Sequence, residues 1–125
     1  MDKNRQDESF VLPTYISKPN RGCGGQGIKL MQTIDDIPQH QNDMVVQKYV
    51  DRPLIIENKK FDLRLYIVMK GIKSVDVYLC EEGMARFATK DYAFPCKSNI
   101  NNLFMHITNA ALNKASENYM LNDTL

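Results

Sequence analysis

Phe61, Leu63, Leu65, Ile67 and Met69 fall at every second position, with Asp62, Arg64, Tyr66 and Val68 between them. Successive side chains of an extended chain point to opposite faces. The segment therefore predicts one long strand, with Leu63, Leu65 and Ile67 in a core and Asp62 and Arg64 on the other face. A helix would scatter both sets, so this pattern limits the chain to a fold built around a sheet.

The flanking segments agree. Thr14 to Ser17 is a short β-prone run that Lys18 and Pro19 end, since proline cannot continue a central strand. Ile28 to Met31 resumes an extended run, and Thr33 to Asp36 carries a helix-start signal, a hydroxyl followed three residues later by a carboxylate. Met44 to Val50 is rich in branched and aromatic residues and reads as a strand. Leu54 to Ile56 is apolar, and Glu57 to Lys60 forms a polar turn. Val75 to Cys80 and Met84 to Thr89, joined by Glu81, Glu82 and Gly83, predict a hairpin. Phe104 to Asn109 reads as a last extended stretch, with His106 and Thr108 opposite Met105 and Ile107. The expected class is α+β, a mostly antiparallel twisted sheet with few helices and a glycine-rich loop at one edge. Residues 1–13 are expected to form a polar leading segment, 14–115 a partial domain and 116–125 a truncated end.

Composition narrows the function. The 125 residues are 43% hydrophobic and 25% charged, with 16 basic and 15 acidic residues giving +1. A globally basic nucleic-acid binder is excluded, since such domains usually have an isoelectric point above about 9. No stretch approaches the roughly 20 apolar residues of a membrane span. Cys23, Cys80 and Cys96 form no CxxC pair, and with only His40 and His106 beside them no zinc site is expected.

Gly22, Gly24, Gly25 and Gly27 fill four of six positions, which predicts a flexible loop. The spelling also fits G-x-G-x-x-G. A Rossmann fingerprint needs a long helix at the third glycine, a P-loop needs Lys-Ser/Thr, and a protein kinase needs HRD and DFG; none is present. A loop between two strands with Lys18 just before it suits a flap over phosphates, where glycine lets backbone N–H groups approach. The bland alternative is a surface hairpin. Likewise Lys60, Asp62, Arg64, Arg86, His106 and Asn109 are either surface decoration or an anion site.

The segments YISKP, RGCGGQGI, VVQKYV, PLII, KFDLRLYIV, CEEGMARFATKDY, MHITN and LNK, in that order from Tyr15 to Lys114, resemble the tubulin–tyrosine ligase-like family, which has an ATP-grasp fold. CEEGMARFAT is most similar to the tubulin polyglutamylase branch. The resemblance implies an ATP-dependent ligase that adds glutamate to glutamate side chains of tubulin tails through an acyl-phosphate. Lys18 would contact phosphates beneath the Gly22–Gly27 loop, and Gln47, Lys48, Tyr49 and Val50 would lie beside adenine. Lys60 and Asp62 resemble the nucleotide-facing pair, Arg64 and Arg86 the anion-binding arginines, with Arg86 for the incoming amino acid's carboxylate. His106, Thr108 and Asn109 match the HLTN element beside the nucleotide and reacting phosphate, and Lys114 the lysine that ends it. The implied catalytic residues are Arg64, Arg86 and His106.

The implied cofactors are ATP and Mg2+, with metal ligands expected beyond Leu125 and none in this segment. The implied partners are tubulin or microtubules and free glutamate, without nucleic acid or membrane. The implied setting is the cytoplasm and microtubule cytoskeleton, with the cilium or basal body. Ala110 stands where polyglutamylases usually carry tyrosine. Transfer of another amino acid such as glycine, or a truncated or degenerate module that binds nucleotide or tubulin without ligating, therefore stay open.

Overall fold

A computed structural model describes residues 12–37 and 43–120. Of the expected boundary segments, 1–11 and 121–125 lie outside the described residues. Strands β1 (Tyr15–Pro19), β2 (Lys29–Met31) and β3 (Met44–Lys48) form a sheet ordered β2-β1-β3. Strands β4 (Ile55–Ile56), β5 (Lys59–Arg64) and β8 (Met84–Phe87) form a second sheet ordered β4-β5-β8, and β6 (Ile67–Lys70) pairs with β7 (Asp76–Leu79). Every pairing is antiparallel. Two single-turn helices follow, α1 (Leu103–His106) and α2 (Ala110–Asn113). No helix among the described residues is long and apolar enough to cross a membrane.

Local chemistry explains several elements. Glu57 and Asn58 both have positive φ, 49° and 62°, the geometry of a two-residue hairpin turn whose twist matches its strands; β4 and β5 pair directly across it. Gly71 has a φ of 97°, and a Cβ there would stand 2.1 Å from the Ser74 carbonyl oxygen, so the β6–β7 turn requires glycine. The helix start at Thr33 yields one 3-10 turn, Ile34–Asp36, held by the Asp36 carboxylate accepting the Gln32 and Thr33 N–H groups at 3.2 and 3.0 Å.

Four expectations are corrected. The strand expected over 61–69 is broken at Leu65 and Tyr66, so β5 and β6 belong to different sheets. Consequently Val75–Cys80 and Met84–Thr89 do not form a hairpin: β7 returns along β6, and β8 crosses to β5 with Asp62 opposite Arg86. Leu63, Leu65 and Ile67 are not core but 62%, 55% and 61% exposed, because nothing among the described residues packs on that face. Finally, 104–109 is not one extended stretch. It is helical through His106, where the Ile107 N–H closes on the Leu103 carbonyl at 2.8 Å, and His106, Ile107 and Thr108 are all buried rather than split between faces.

The core lies elsewhere and is unusually polar. Leu30, Met31, Tyr49, Ala88 and Ile107 are buried together with Thr14, Ser17, His106, Thr108, Asn113 and Ser116. Buried polar groups are tolerated when hydrogen-bonded. The segment after β8 supplies many of these bonds and joins the two larger sheets. Tyr49, just past β3, donates to the His106 carbonyl at 3.0 Å, and Thr89, just past β8, bonds Asn113.

Candidate functional site

A cleft of about 210 Å³ opens between the strand-exit segment Gln47–Val50, Lys60 of β5 and the arm 106–108. Its walls are Ile16, Val50 and Ile107, and its polar groups include Lys60, Tyr49, His106 and Thr108. Tyr49 is the floor. Its ring is buried, stands edge-on to the His106 ring at 6.0 Å, and lies 4.2 Å beneath the Lys60 ammonium. Lys60 Nζ donates to the Tyr49 hydroxyl at 3.0 Å. A cation over an aromatic face is attracted by the ring quadrupole, but this one has lost much of its water. Burial pushes the Lys60 ammonium down to about 8, with Asp62 opposing. Burial also raises the Tyr49 phenol well above its usual range.

His106 is fully buried between the Tyr49 and Tyr92 rings, the latter at 5.7 Å. Its Nε2 lies 3.4 Å from Asn99 Oδ1, while Nδ1 has no hydrogen-bond partner. Burial lowers its pKa below the usual histidine value, so the ring is neutral at pH 7.

Asp62 and Arg86 face each other across β5 and β8. Arg86 Nε donates to Asp62 Oδ1 at 2.7 Å, and Arg86 Nη2 pairs with Asp62 Oδ2, a two-pronged contact of the kind the planar guanidinium favours. That contact holds the Asp62 carboxyl below its usual range, and the Thr108 hydroxyl and Arg64 lower it further. Arg86 pairs with none of the acidic residues of the neighbouring turn among the described residues, and Asp91 pairs with Lys59 at 2.8 Å.

The glycine loop reaches the other side of the arm. A Cβ at Gly24 would meet Ala111 at 3.6 Å, and one at Gly25 would meet Asn109 Cγ at 3.4 Å. Gly22, Gly24, Gly25 and Gly27 all have positive φ, from 68° to 144°. Lys18 Nζ donates to Gln47 Oε1 at 2.8 Å, which ties the residue before the loop to the segment beside the cleft. Asn109 caps α2, its Oδ1 accepting the Leu112 N–H at 3.2 Å.

Of the residues singled out by sequence, the structure thus gathers Gln47, Lys48, Tyr49, Val50, Lys60, His106 and Thr108 on one cleft. Lys18, Asp62, Arg86 and Asn109 are bonded around it. Arg64, at the exposed end of β5, and Lys114, exposed past α2, are not among the residues lining it. Sequence reasoning missed Tyr92, whose hydroxyl donates to the Asp51 carbonyl at 2.6 Å, and Asn113. Tyr92 stood within the quoted CEEGMARFATKDY segment and Asn113 within LNK, but neither residue type announces a buried bond.

The cleft has the size and chemistry that a nucleotide needs: apolar walls for a flat ring, the end of the edge strand at 47–50 beside them, and ammonium groups with a glycine loop near it for phosphates. A magnesium ion does not fit by the same test. Among the described residues no three His, Cys, Asp or Glu side chains gather to hold a metal, and both Asp62 oxygens are bonded to Arg86.

The sheets thus carry a cleft that presents a lysine ammonium, with a glycine loop on the other side of the arm. The sequence pattern of the tubulin-tyrosine ligase family matches residues 1–124, and the chain belongs to that family. It is 37% identical over 124 residues to tubulin polyglutamylase TTLL11 of Homo sapiens, covering 96% of this chain and 18% of that protein. It is 42% identical over 106 residues to tubulin polyglutamylase TTLL6 of Homo sapiens (85% and 12%), and 44% over 112 residues to tubulin polyglutamylase ttll-11 of Caenorhabditis elegans (89% and 16%). The chain spans less than a fifth of each of these relatives.

Proposed function

We propose that this chain carries the nucleotide-facing part of an ATP-grasp-type ligase that joins glutamate to glutamate side chains of tubulin tails. The observation that carries this reading is the Lys60–Tyr49–His106–Thr108 cleft with the Asp62–Arg86 pair beside it, in a chain similar to tubulin polyglutamylases.

ATP would supply the phosphoryl group that makes a side-chain carboxylate reactive toward the amine of free glutamate. Within this chain, Lys60 and Lys18 bring positive charge to the phosphates, and the Gly22–Gly27 backbone can approach them closely. The segment Gln47–Val50 borders the base. Asp62 keeps the Arg86 fork oriented, and Arg86 reaches an incoming amino-acid carboxylate only by sharing that fork with Asp62. His106, neutral and held between two tyrosines, shapes the wall. The residues contribute position and preset charge rather than a covalent step. Mg2+ belongs to the proposal with ligands beyond this segment, and no step here runs through it. Tubulin as substrate places the activity on microtubules in the cytoplasm, including those of a cilium or basal body.

Ala110 favours a second reading, transfer of another amino acid such as glycine, because it offers neither ring nor hydroxyl at the start of α2. The test is two-staged. Titration of the chain with a fluorescent ATP analogue should show weak, salt-sensitive binding that Lys60→Ala abolishes; binding untouched by Lys60→Ala would remove the cleft from the proposal. A ligation assay of a protein that contains the chain, with ATP, tubulin and labelled glutamate or glycine, then identifies the amino acid. Incorporation of neither would favour a non-catalytic binding module.

A further inference from the structure

Asn113 stands apart from the cleft yet uses its whole side-chain amide on residues that build it. Its Nδ2 donates to the Ile107 carbonyl at 2.7 Å and to the Asn109 carbonyl at 3.0 Å. Its Oδ1 accepts the Thr89 N–H at 3.1 Å and the Thr89 hydroxyl at 2.9 Å. The residue is 1% exposed, so water cannot substitute for any of these partners. The amide's orientation follows from chemistry: two carbonyls can only accept, and a backbone N–H can only donate.

The two carbonyls belong to the residues on either side of Thr108, and Thr89 follows β8, the strand that carries Arg86. We propose that Asn113 is a positioning residue: it ties the carbonyls of both neighbours of Thr108 to the end of β8, and so sets where Thr108 stands along the cleft wall. A buried polar hub of this kind has few alternatives. Alanine strands the Ile107 carbonyl, the Thr89 N–H and the Thr89 hydroxyl, while the Asn109 carbonyl keeps the backbone N–H of residue 113; aspartate would point a carboxylate oxygen at two carbonyls. That this position matters to a nucleotide rests on the reading proposed above; that it positions Thr108 does not.

The test uses the full chain and two readouts. The first is the titration of the Asp62 carboxyl followed by carbon NMR, which senses the Thr108 hydroxyl without any ligand. The second is the dissociation constant for ATP. In Asn113→Ala the Asp62 pKa should rise by the smaller part that Thr108 supplies, the Arg86 pair being intact, and ATP binding should weaken about tenfold. Ser116→Ala, also buried but with a hydroxyl that bonds only the Asn118 N–H, should move neither. Folded Asn113→Ala with an unchanged Asp62 titration overturns the proposal. A shifted titration in a chain that never binds ATP sustains the positioning role and sinks the nucleotide reading instead. Should Asn113→Ala not fold, Thr89→Val removes only the hydroxyl donor. It should shift Asp62 in the same direction by less, with Thr89→Ser restoring the original titration, and an unshifted Thr89→Val would overturn the proposal as firmly.

Discussion

Lys60 is the residue whose ionisation the fold alters most usefully. Its ammonium is pushed down to about 8 by burial, from 10.5 in the unfolded chain. Between those values the unfolded state binds the extra proton, so the apo protein should gain stability as pH rises from about 8 toward 10.5. A bound phosphate reverses the preference by favouring the charged form. ATP binding at pH 8 should therefore take up protons, and affinity should fall as pH climbs past 8. Calorimetry in two buffers of different ionisation heat reads the uptake directly, and Lys60→Arg, charged throughout, should abolish it. Equal heats in both buffers for the original chain would mean that Lys60 does not meet the phosphates. His106 acts at the other end of the scale. Its lowered pKa means that the unfolded state takes the proton first on acidification, so its contribution to stability is lost as pH falls below about 6.5.

At the scale of elements, the glycine loop separates two effects that sequence cannot. Gly24 and Gly27 share the left-handed conformation, with φ of 68° and 70°. A methyl group at Gly24 meets only ordinary contact, whereas at Gly27 it would stand 2.7 Å from Pro19 Cγ. Gly27→Ala should therefore cost more stability than Gly24→Ala, each paying about 1–3 kcal/mol for backbone strain with the collision added only at Gly27. Urea unfolding of the two variants checks the order. The same experiment tests the core. Met31→Ala, at a site 2% exposed, should cost about 2–5 kcal/mol, while Leu65→Ala should stay within about 0.5 kcal/mol.

That contrast also marks what was legible in the sequence. The runs around β1, β3 and β5 announced themselves by branched and aromatic residues, and the cleft residues by the motifs that carry the family resemblance. Alternation across Leu65 and Tyr66 hid the break between β5 and β6, because a period of two says nothing about which sheet a strand joins. The partners of β7 and β8 were likewise set by tertiary pairing rather than by the short turn between them. Helices of one turn, such as α1 and α2, are too brief for a helical period to register, so 104–109 looked extended. Asn113 was invisible for a different reason: its four bonds exist only once Thr89 and the 107–109 arm have been brought together.

At the scale of the whole molecule, the described residues are tied together by the hydrogen-bonded 106–113 arm and leave one hairpin uncovered. The β6–β7 hairpin presents Ile67 and Met69 opposite Leu79 and Val77 on one face, and these four are 61%, 72%, 63% and 62% exposed. A two-stranded ribbon with an apolar face and open edges is a template for pairing with another chain. The isolated chain should therefore associate as its concentration rises, and the association should strengthen with added sulfate, which favours apolar burial. Val77→Lys puts an ammonium in the centre of that face, opposite Met69. It should return the chain to monomer in sedimentation velocity while leaving ATP affinity unchanged, since no residue of β7 lines the cleft. A chain that stays monomeric at its highest soluble concentration would show that this exposure is harmless. Association that survives Val77→Lys would move the contact to another surface, with the exposed Ile55 and Ile56 of β4 as the next to test.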